Sequence, residues 1–460
     1  MSSRPSRIHR LLLPALLALG AAGPLPGREA EPTATRRVLL ISIDGLAPAS
    51  YLDPDAAGLA IPNLRALAAA GAFATGVTGV LPTSTYPSHT TLLTGVPPRL
   101  HGILGNRIFD PTGRSNEAWH WYASQIRVPT LATAAYSAGM ITGAISWPVT
   151  VGLEVDALVP EIWRSGSTAP EDGRLIEALS STALFSEVAE RRGTPLVYPL
   201  TDRDRGDLAL HVLATRKPQL LLVHFIDHDL AQHEFGLGSP EARAALERAD
   251  AELGRLRAEL DRLALAGETL IVVVSDHGFL PVSRELHPNA LLRSAGLVET
   301  DAQGRITTWR AAFDPHGGAA FLRLADAGDR ATLERVRRLV EAEAAKPGSG
   351  IRAVLGAPEI EALGGDPALT PLALDARQGF SFEIGATQWS TPGRQRANHG
   401  FAPVRPELEA ALLVAGPGLT RAGSLGTVPM IRIAPTLARY LGVELSPLAA
   451  EPLDWLSPAP

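Results

Sequence analysis

Three runs of apolar residues, each ending in an acid, set the pattern of this chain. Val38-Leu39-Leu40-Ile41-Ser42-Ile43 ends in Asp44-Gly45. Pro218–Phe225 runs into Ile226-Asp227-His228-Asp229, and Thr269–Ser275 ends in Asp276-His277-Gly278. Unbroken apolar stretches of this length fit strands buried on both faces of a parallel sheet. The carboxyl ends of such strands are where open α/β sheets place their sites. Met140–Ser146 and Ala410–Ala415 predict two further strands. Between the strands the pattern turns helical at Pro62–Gly71, Leu131–Gly139, Pro240–Leu265 and Met430–Leu441. The first of these opens on Pro and closes on Gly, and the third is amphipathic with Glu and Arg on its wet face. Strands alternating with helices predict an α/β fold around a mostly parallel central sheet. From Pro288 to Gln395 the pattern loosens into short Gly- and Pro-bounded segments. This predicts an inserted smaller subdomain at 288–395, with 36–287 and 396–445 as the core.

A different signal lies in Pro82-Thr83-Ser84-Thr85-Tyr86-Pro87-Ser88-His89, which continues to Thr94-Gly95. It reads as a hydroxyl-rich turn leading into a short helix, with Pro87 at the first helical position and Thr85 just ahead of it. Unpaired N–H groups and the helix dipole favour an anion there. A threonine before a helix is ordinarily a cap. At an anion site its hydroxyl can also attack a phosphoryl group.

Composition narrows the partners. The chain has 460 residues, 45% hydrophobic and 20% charged, which describes an ordinary globular protein. A formal net charge of -6 leaves no basic footprint for a long nucleic acid. Arg4, Arg7 and Arg10 precede the apolar run Leu11–Ala22, so residues 1–27 read as an export signal and the protein as secreted or periplasmic. That run is short for a membrane span, and no later segment is apolar for long enough. The chain has no cysteine, which excludes disulfides and thiolate metal sites.

Asp44, Asp229 with His233, and Asp276 with His277 thus fall at strand ends, and His399 stands in a Gly-flanked loop. Nitrogen and oxygen donors of this kind suit Zn2+ and, less selectively, Mn2+ or Fe2+. Counting Thr85 there are seven positions, enough for two ions. Paired metals about 4 Å apart clamp the entering and leaving oxygens of an in-line displacement. Asp227 and His228 are further candidates beside Asp229, and His316-Gly317-Gly318 competes with His399. His89, His101, His224 and His287 are expected to be structural or supporting.

Taken in order, these motifs carry a resemblance. They are Ile43-Asp44-Gly45, the run Pro82–His89, Thr94-Gly95 followed by His101-Gly102-Ile103 and Asn106, Trp147-Pro148, Asp229 with His233, Ser275-Asp276-His277-Gly278, and His399-Gly400. From Val38 to Leu441 the chain resembles the nucleotide pyrophosphatase/phosphodiesterase branch of the alkaline phosphatase superfamily. The resemblance implies an alkaline-phosphatase-like three-layer sandwich and a two-zinc phosphodiesterase working through a covalent phosphothreonine. It implies that Asp229, His233 and His399 hold the zinc that activates the hydrolytic water. Asp44, Asp276 and His277 would hold the other, which also binds the Thr85 oxygen. Asn106 and the Thr85 backbone N–H would stabilise charge on a non-bridging oxygen. Tyr86 would line the pocket beside the esterifying group, although a buried core tyrosine fits that residue equally well. Gln232 departs from the family, which often has Gly before the ligand histidine.

Some superfamily monoesterases carry a Lys-x-Arg pair where this chain has Trp147-Pro148-Val149-Thr150. Its absence favours a small phosphodiester or pyrophosphate substrate, such as a nucleotide, a nucleotide sugar or a phospholipid headgroup. A phosphomonoesterase or phosphonoacetate-type hydrolase is the alternative within the superfamily. Outside it stands a non-catalytic exported binding protein with a metal-stabilised fold, which would need neither Thr85 nor Asn106.

Overall fold

The computed structural model describes residues 36–114, 118–163 and 169–459. The export signal expected at 1–27 lies outside them. The three acid-terminated runs form adjacent parallel strands at the centre of an eight-stranded sheet. Its order is Gly423–Ser424, Ala72–Phe73, Leu412–Ala415, Thr269–Val274, Arg37–Ile43, Leu220–Phe225, Thr142–Trp147, Ala157–Pro160. Arg37–Ile43 pairs on one side with Leu220–Phe225, Val38 opposite Leu220, and on the other with Thr269–Val274, Val38 opposite Leu270. That register delivers Asp44, Ile226 and Ser275 to the same edge. Among the described strands of this sheet only Leu412–Ala415 runs antiparallel to the central group.

Burial on both faces explains why the runs are unbroken. Leu39, Ile41 and Ile43 pack into one hydrophobic layer with Leu64, Leu208, Leu246 and Leu253. Val38 and Leu40 point the other way, into a layer with Leu92, Leu131, Ile433 and Leu437. Helices Pro62–Ala70, Asp202–Arg216 and Pro240–Arg262 contribute the first layer, and Thr85–Thr94, Leu131–Ser137 and Ile433–Leu441 the second. The result is a three-layer α/β sandwich.

Between Leu280 and Asn398 the chain builds separate sheets. Ala311–His316, Ala319–Leu324, Leu372–Ala376 and Ile351–Gly356 form one antiparallel sheet. Leu280–Leu286 joins Gly379–Phe382 and Ser390–Pro392 in another. These strands share a hydrophobic cluster of their own around Leu292, Phe313, Leu322, Val336 and Phe382. Among the described residues no helix is long and apolar enough to cross a membrane.

Candidate active site

Thr85 opens a ten-residue helix, Thr85–Thr94. The helix therefore starts two residues earlier than the Pro87 position predicted it. Ser84 takes the extended capping conformation (φ -131°, ψ 154°) without a side-chain capping bond, and Pro87 is third in the helix. The physical reason is that N–H groups of the first turn have no intrahelical partner, so Pro fits at several positions there. Tyr86 N–H donates to Asn106 Oδ1 at 2.9 Å. A backbone N–H can only donate, so the amide oxygen must face Tyr86, leaving the Asn106 NH2 as the remaining donor. Tyr86 itself is fully buried, with Ile103 and Val149 against it and Trp119 edge-on at 5.3 Å.

The six ligand-type side chains gather around Thr85. Its Oγ1 lies 3.5 Å from His277 Nε2, which is in turn 3.0 Å from Asp276 Oδ2 and 3.5 Å from Asp44 Oδ1. On the other side His233 Nε2 is 3.5 Å and His399 Nε2 3.9 Å from Asp229 Oδ1. Donor atoms of Asp229, His233 and His399 all lie within 4.8 Å of one another, as do those of Asp44, Asp229 and His277. Asp229 belongs to both groups.

Four of the six, Asp44, Asp276, His233 and His399, are held by one atom and present the other. Asp44 Oδ2 meets His224 Nε2 at 3.0 Å, and Asp276 Oδ1 accepts from Gly45 N–H at 3.1 Å. Asp44 Oδ1, Asp276 Oδ2 and Asp229 Oδ1 are buried without a hydrogen-bond partner. His233 Nδ1 donates to the Ala397 carbonyl at 2.9 Å and His399 Nδ1 to the Thr83 carbonyl at 3.2 Å, which leaves both Nε2 lone pairs facing inward. Unpaired buried carboxylate oxygens are costly, and a cation between them removes that cost. The donor set fits divalent zinc.

Electrostatics agree with this. Burial, with the carboxylates of Asp229 and Asp276 beside it, pushes the Asp44 pKa well up. Burial likewise raises Asp229, although His233 and His277 oppose it. At Asp276 burial also acts upward, but His277, His89 and His224 together outweigh it and hold the carboxyl well below its ordinary range. Burial and the neighbouring His277 and His233 push His399 well down, so it stays neutral.

The competing candidates point elsewhere. Asp227 turns to the Asp202 N–H at 3.2 Å and to Arg205 at 3.4 Å. His228 donates to the Ala242 carbonyl, and burial pulls its pKa down to about 4. His316 faces Asp314 at 3.2 Å, in neither donor group. Asp229 and His233 sit four apart on the helix Asp227–Phe235, which follows the strand end directly. On the same helix Gln232 donates to the Gly45 carbonyl at 3.1 Å, bracing the residue after Asp44. His89 is structural: Nδ1 donates to the Thr85 carbonyl, Nε2 meets Ser42 Oγ, and burial keeps the ring neutral with a pKa of about 3.

A cavity of about 250 Å3 opens over Thr85. Its walls include Trp119, Trp163, Leu230 and Phe382, together with Arg107, Glu161 and Glu383. Sequence reasoning missed Glu161, although it follows the strand Ala157–Pro160 as the other acids follow theirs.

Gly278 supports the site by being small. A Cβ there would lie 2.1 Å from the Glu407 carbonyl oxygen. Gly278→Ala is expected to destabilise the fold by about 1–3 kcal/mol through this clash, read as a lower Tm in thermal denaturation.

The family model described as Type I phosphodiesterase / nucleotide pyrophosphatase matches residues 38–402. The chain belongs to that family. Among curated members, human ectonucleotide pyrophosphatase/phosphodiesterase family member 1 is 27% identical over 261 residues, which is 55% of this chain and 24% of the relative. Human family member 7 is 25% identical over 61% of this chain and 55% of its own length. Venom phosphodiesterase 2 of Crotalus adamanteus is 25% identical over 54% of this chain and 27% of its length. The chain thus spans between about a quarter and about a half of these relatives. The structure of human ectonucleotide pyrophosphatase/phosphodiesterase 5 superposes with a TM-score of 0.64 at 19% identity, covering 90% of this chain and 96% of that one. An inactive variant of the murine protein, in complex with AMP, superposes at 0.63 over 92% and 100%. The three-layer sandwich of this phosphodiesterase-family chain is therefore the alkaline-phosphatase-like one.

Proposed function

We propose that this chain hydrolyses phosphodiester or phosphoanhydride bonds of small organic phosphates, after export to the periplasm or beyond. The observation that carries this reading is the convergence of six acid and imidazole side chains on one hydroxyl at a helix N-terminus. Asp229, His233 and His399 would hold one zinc ion, and Asp44, Asp276 and His277 the other beside Thr85. When bound, such a pair supplies Lewis-acid charge beside the phosphoryl oxygens and lowers the pKa of an oxygen it touches.

Thr85 Oγ1 attacks phosphorus, the first alcohol or phosphate leaves, and a phosphothreonine remains. Water then attacks that ester and releases a monoester with Thr85 restored. The N-terminus of the helix Thr85–Thr94 and the NH2 of Asn106 direct donors at a non-bridging oxygen, where loss of one donor typically costs about 3–4 kcal/mol. The aromatic walls Trp119 and Trp163 suit a nucleotide base or another flat organic group. The AMP bound by the murine relative fits a nucleotide as that group. The stretch 288–395, read as an inserted subdomain, would supply part of the pocket wall through Pro315, His316, Phe382 and Glu383.

Charge favours a diester. Arg107 is the one Lys or Arg among the described residues lining the cavity, and it lies 3.9 Å from Glu383. The extra charge of a dianionic monoester would meet Glu161 and Glu383, with Arg107 already beside Glu383. The expected result is turnover of bis-p-nitrophenyl phosphate above that of p-nitrophenyl phosphate, with both rates abolished by chelator and restored by Zn2+. A faster monoester rate would replace this reading with a phosphomonoesterase. No metal-dependent turnover of either would leave a binding protein.

A further inference from the structure

Against Asp44 a histidine outside both donor groups bridges two carboxylates. His224 is fully buried near the end of the strand Leu220–Phe225. Its Nε2 lies 3.0 Å from Asp44 Oδ2. Its Nδ1 lies 2.9 Å from Glu161 Oε2 and 3.0 Å from the Ser146 carbonyl. Glu161 comes from a different strand end and is itself buried, with only 6% of its surface exposed. With acceptors at both nitrogens, the ring cannot turn without giving up a bond at each end.

A buried imidazole and a buried carboxylate are expensive in the middle of an otherwise apolar strand layer. Every neighbour of His224 on its strand, from Leu220 to Val223 and Phe225, is apolar and buried. An aliphatic residue would serve the sheet as well. What the polar pair does is fix one oxygen of Asp44 and leave the other, Oδ1, unpartnered and 3.5 Å from His277 Nε2.

We propose that His224 is a positioning residue for Asp44, that it confines metal ligation by this carboxylate to Oδ1, and that Glu161 is the anchor holding the ring. The inference rests on the reading of Asp44 as a zinc ligand given above. Outer partners of metal ligands typically change affinity about 10–100-fold. The effect here falls mainly on one ion, because among the described residues His224 hydrogen-bonds to Asp44 and to none of Asp229, His233 and His399.

The test is zinc affinity, measured by competition with a chromogenic chelator, on the full chain and its His224→Ala, His224→Gln and Glu161→Gln variants. Circular dichroism and thermal melts check that each is folded. H224A is expected to bind one zinc about 10–100-fold more weakly and the other with wild-type affinity. H224Q keeps an amide donor that reaches Asp44 and should recover part of the loss. E161Q keeps an uncharged acceptor for Nδ1 and should fall between wild type and H224A. Should H224A fail to fold, H224Q and E161Q carry the same comparison. Two zinc ions held with wild-type affinity in the folded variants would overturn the proposal, as would equal weakening of both. A wild-type chain that binds no zinc would remove the metal reading itself and this inference with it.

Discussion

Replacing Thr85 by alanine should stop turnover of bis-p-nitrophenyl phosphate, lowering kcat by roughly a hundred-thousand-fold or more, the scale seen when a nucleophile is removed. The protein should remain folded. Among the described residues Thr85 Oγ1 has one hydrogen-bond partner, His277 Nε2 at 3.5 Å, and the helix start is held instead by backbone atoms: Ser84 carbonyl accepts from Ser88 N–H, and Thr85 carbonyl from His89. Alanine is also the best helix former, so the first turn loses nothing by the change. Two measurements separate the covalent route from direct attack by water. Acid quenching of the wild type during turnover should trap a phosphoryl group on Thr85, found by peptide mass spectrometry. Thr85→Ser, which keeps a hydroxyl, should retain measurable turnover. Near-wild-type activity in T85A would mean that water attacks the substrate without a threonyl ester.

The parts of this fold that the sequence makes legible are those whose physics is local. A strand buried on both faces needs apolar residues at nearly every position, so Val38–Ile43 and Thr269–Val274 announce themselves, and the acids that end them are conspicuous. The helix Pro240–Arg262 is equally plain from its period. Asp227–Phe235 was not, because its sequence Asp-His-Asp-Leu-Ala-Gln-His-Glu-Phe carries too few apolar positions to show a face; the helix forms because His228 and Ala231 pack against the neighbouring helix while Asp229 and His233 turn inward. Nor could spacing choose between Asp227 and Asp229. The choice is made by Asp202 and Arg205, which engage Asp227 from a distant part of the chain. Glu161 was missed for the same reason, and His224 was legible only as structural or supporting, without its partners. A histidine inside an apolar run looks like core until its partners, Asp44 and Glu161, are seen at both nitrogens. In the region between Leu280 and Asn398, Leu280–Leu286 pairs with Gly379–Phe382 almost a hundred positions later. Pairing at that range leaves no trace in local periodicity.

Asp229 offers the sharpest contrast between the metal-free and the metal-loaded chain. Its carboxylate belongs to both donor groups, so Asp229→Ala should weaken zinc binding by more than the roughly hundredfold upper range of an outer partner, and turnover should fall with it. Stability should respond in the opposite direction when no zinc is present. Burial and the charge of Asp276 raise the Asp229 pKa in the folded chain. A carboxyl raised in this way supports the fold below its unfolded value near 4, and that support is lost as pH rises through the folded value. At neutral pH the metal-free wild type therefore crowds three buried carboxyl groups, Asp44, Asp229 and Asp276, with the pKa of Asp44 and of Asp229 both raised. Removing one relieves that crowding. In chelator at pH 7, D229A is expected to melt at or above the wild type, and the gap should close as the pH falls towards 4. Saturating Zn2+ should reverse the order, because ligand binding to the folded state raises Tm in proportion to the logarithm of its affinity. If zinc raises the Tm of D229A as far as that of the wild type, Asp229 holds no ion, and the six-ligand reading of the cavity loses the residue that joins its halves.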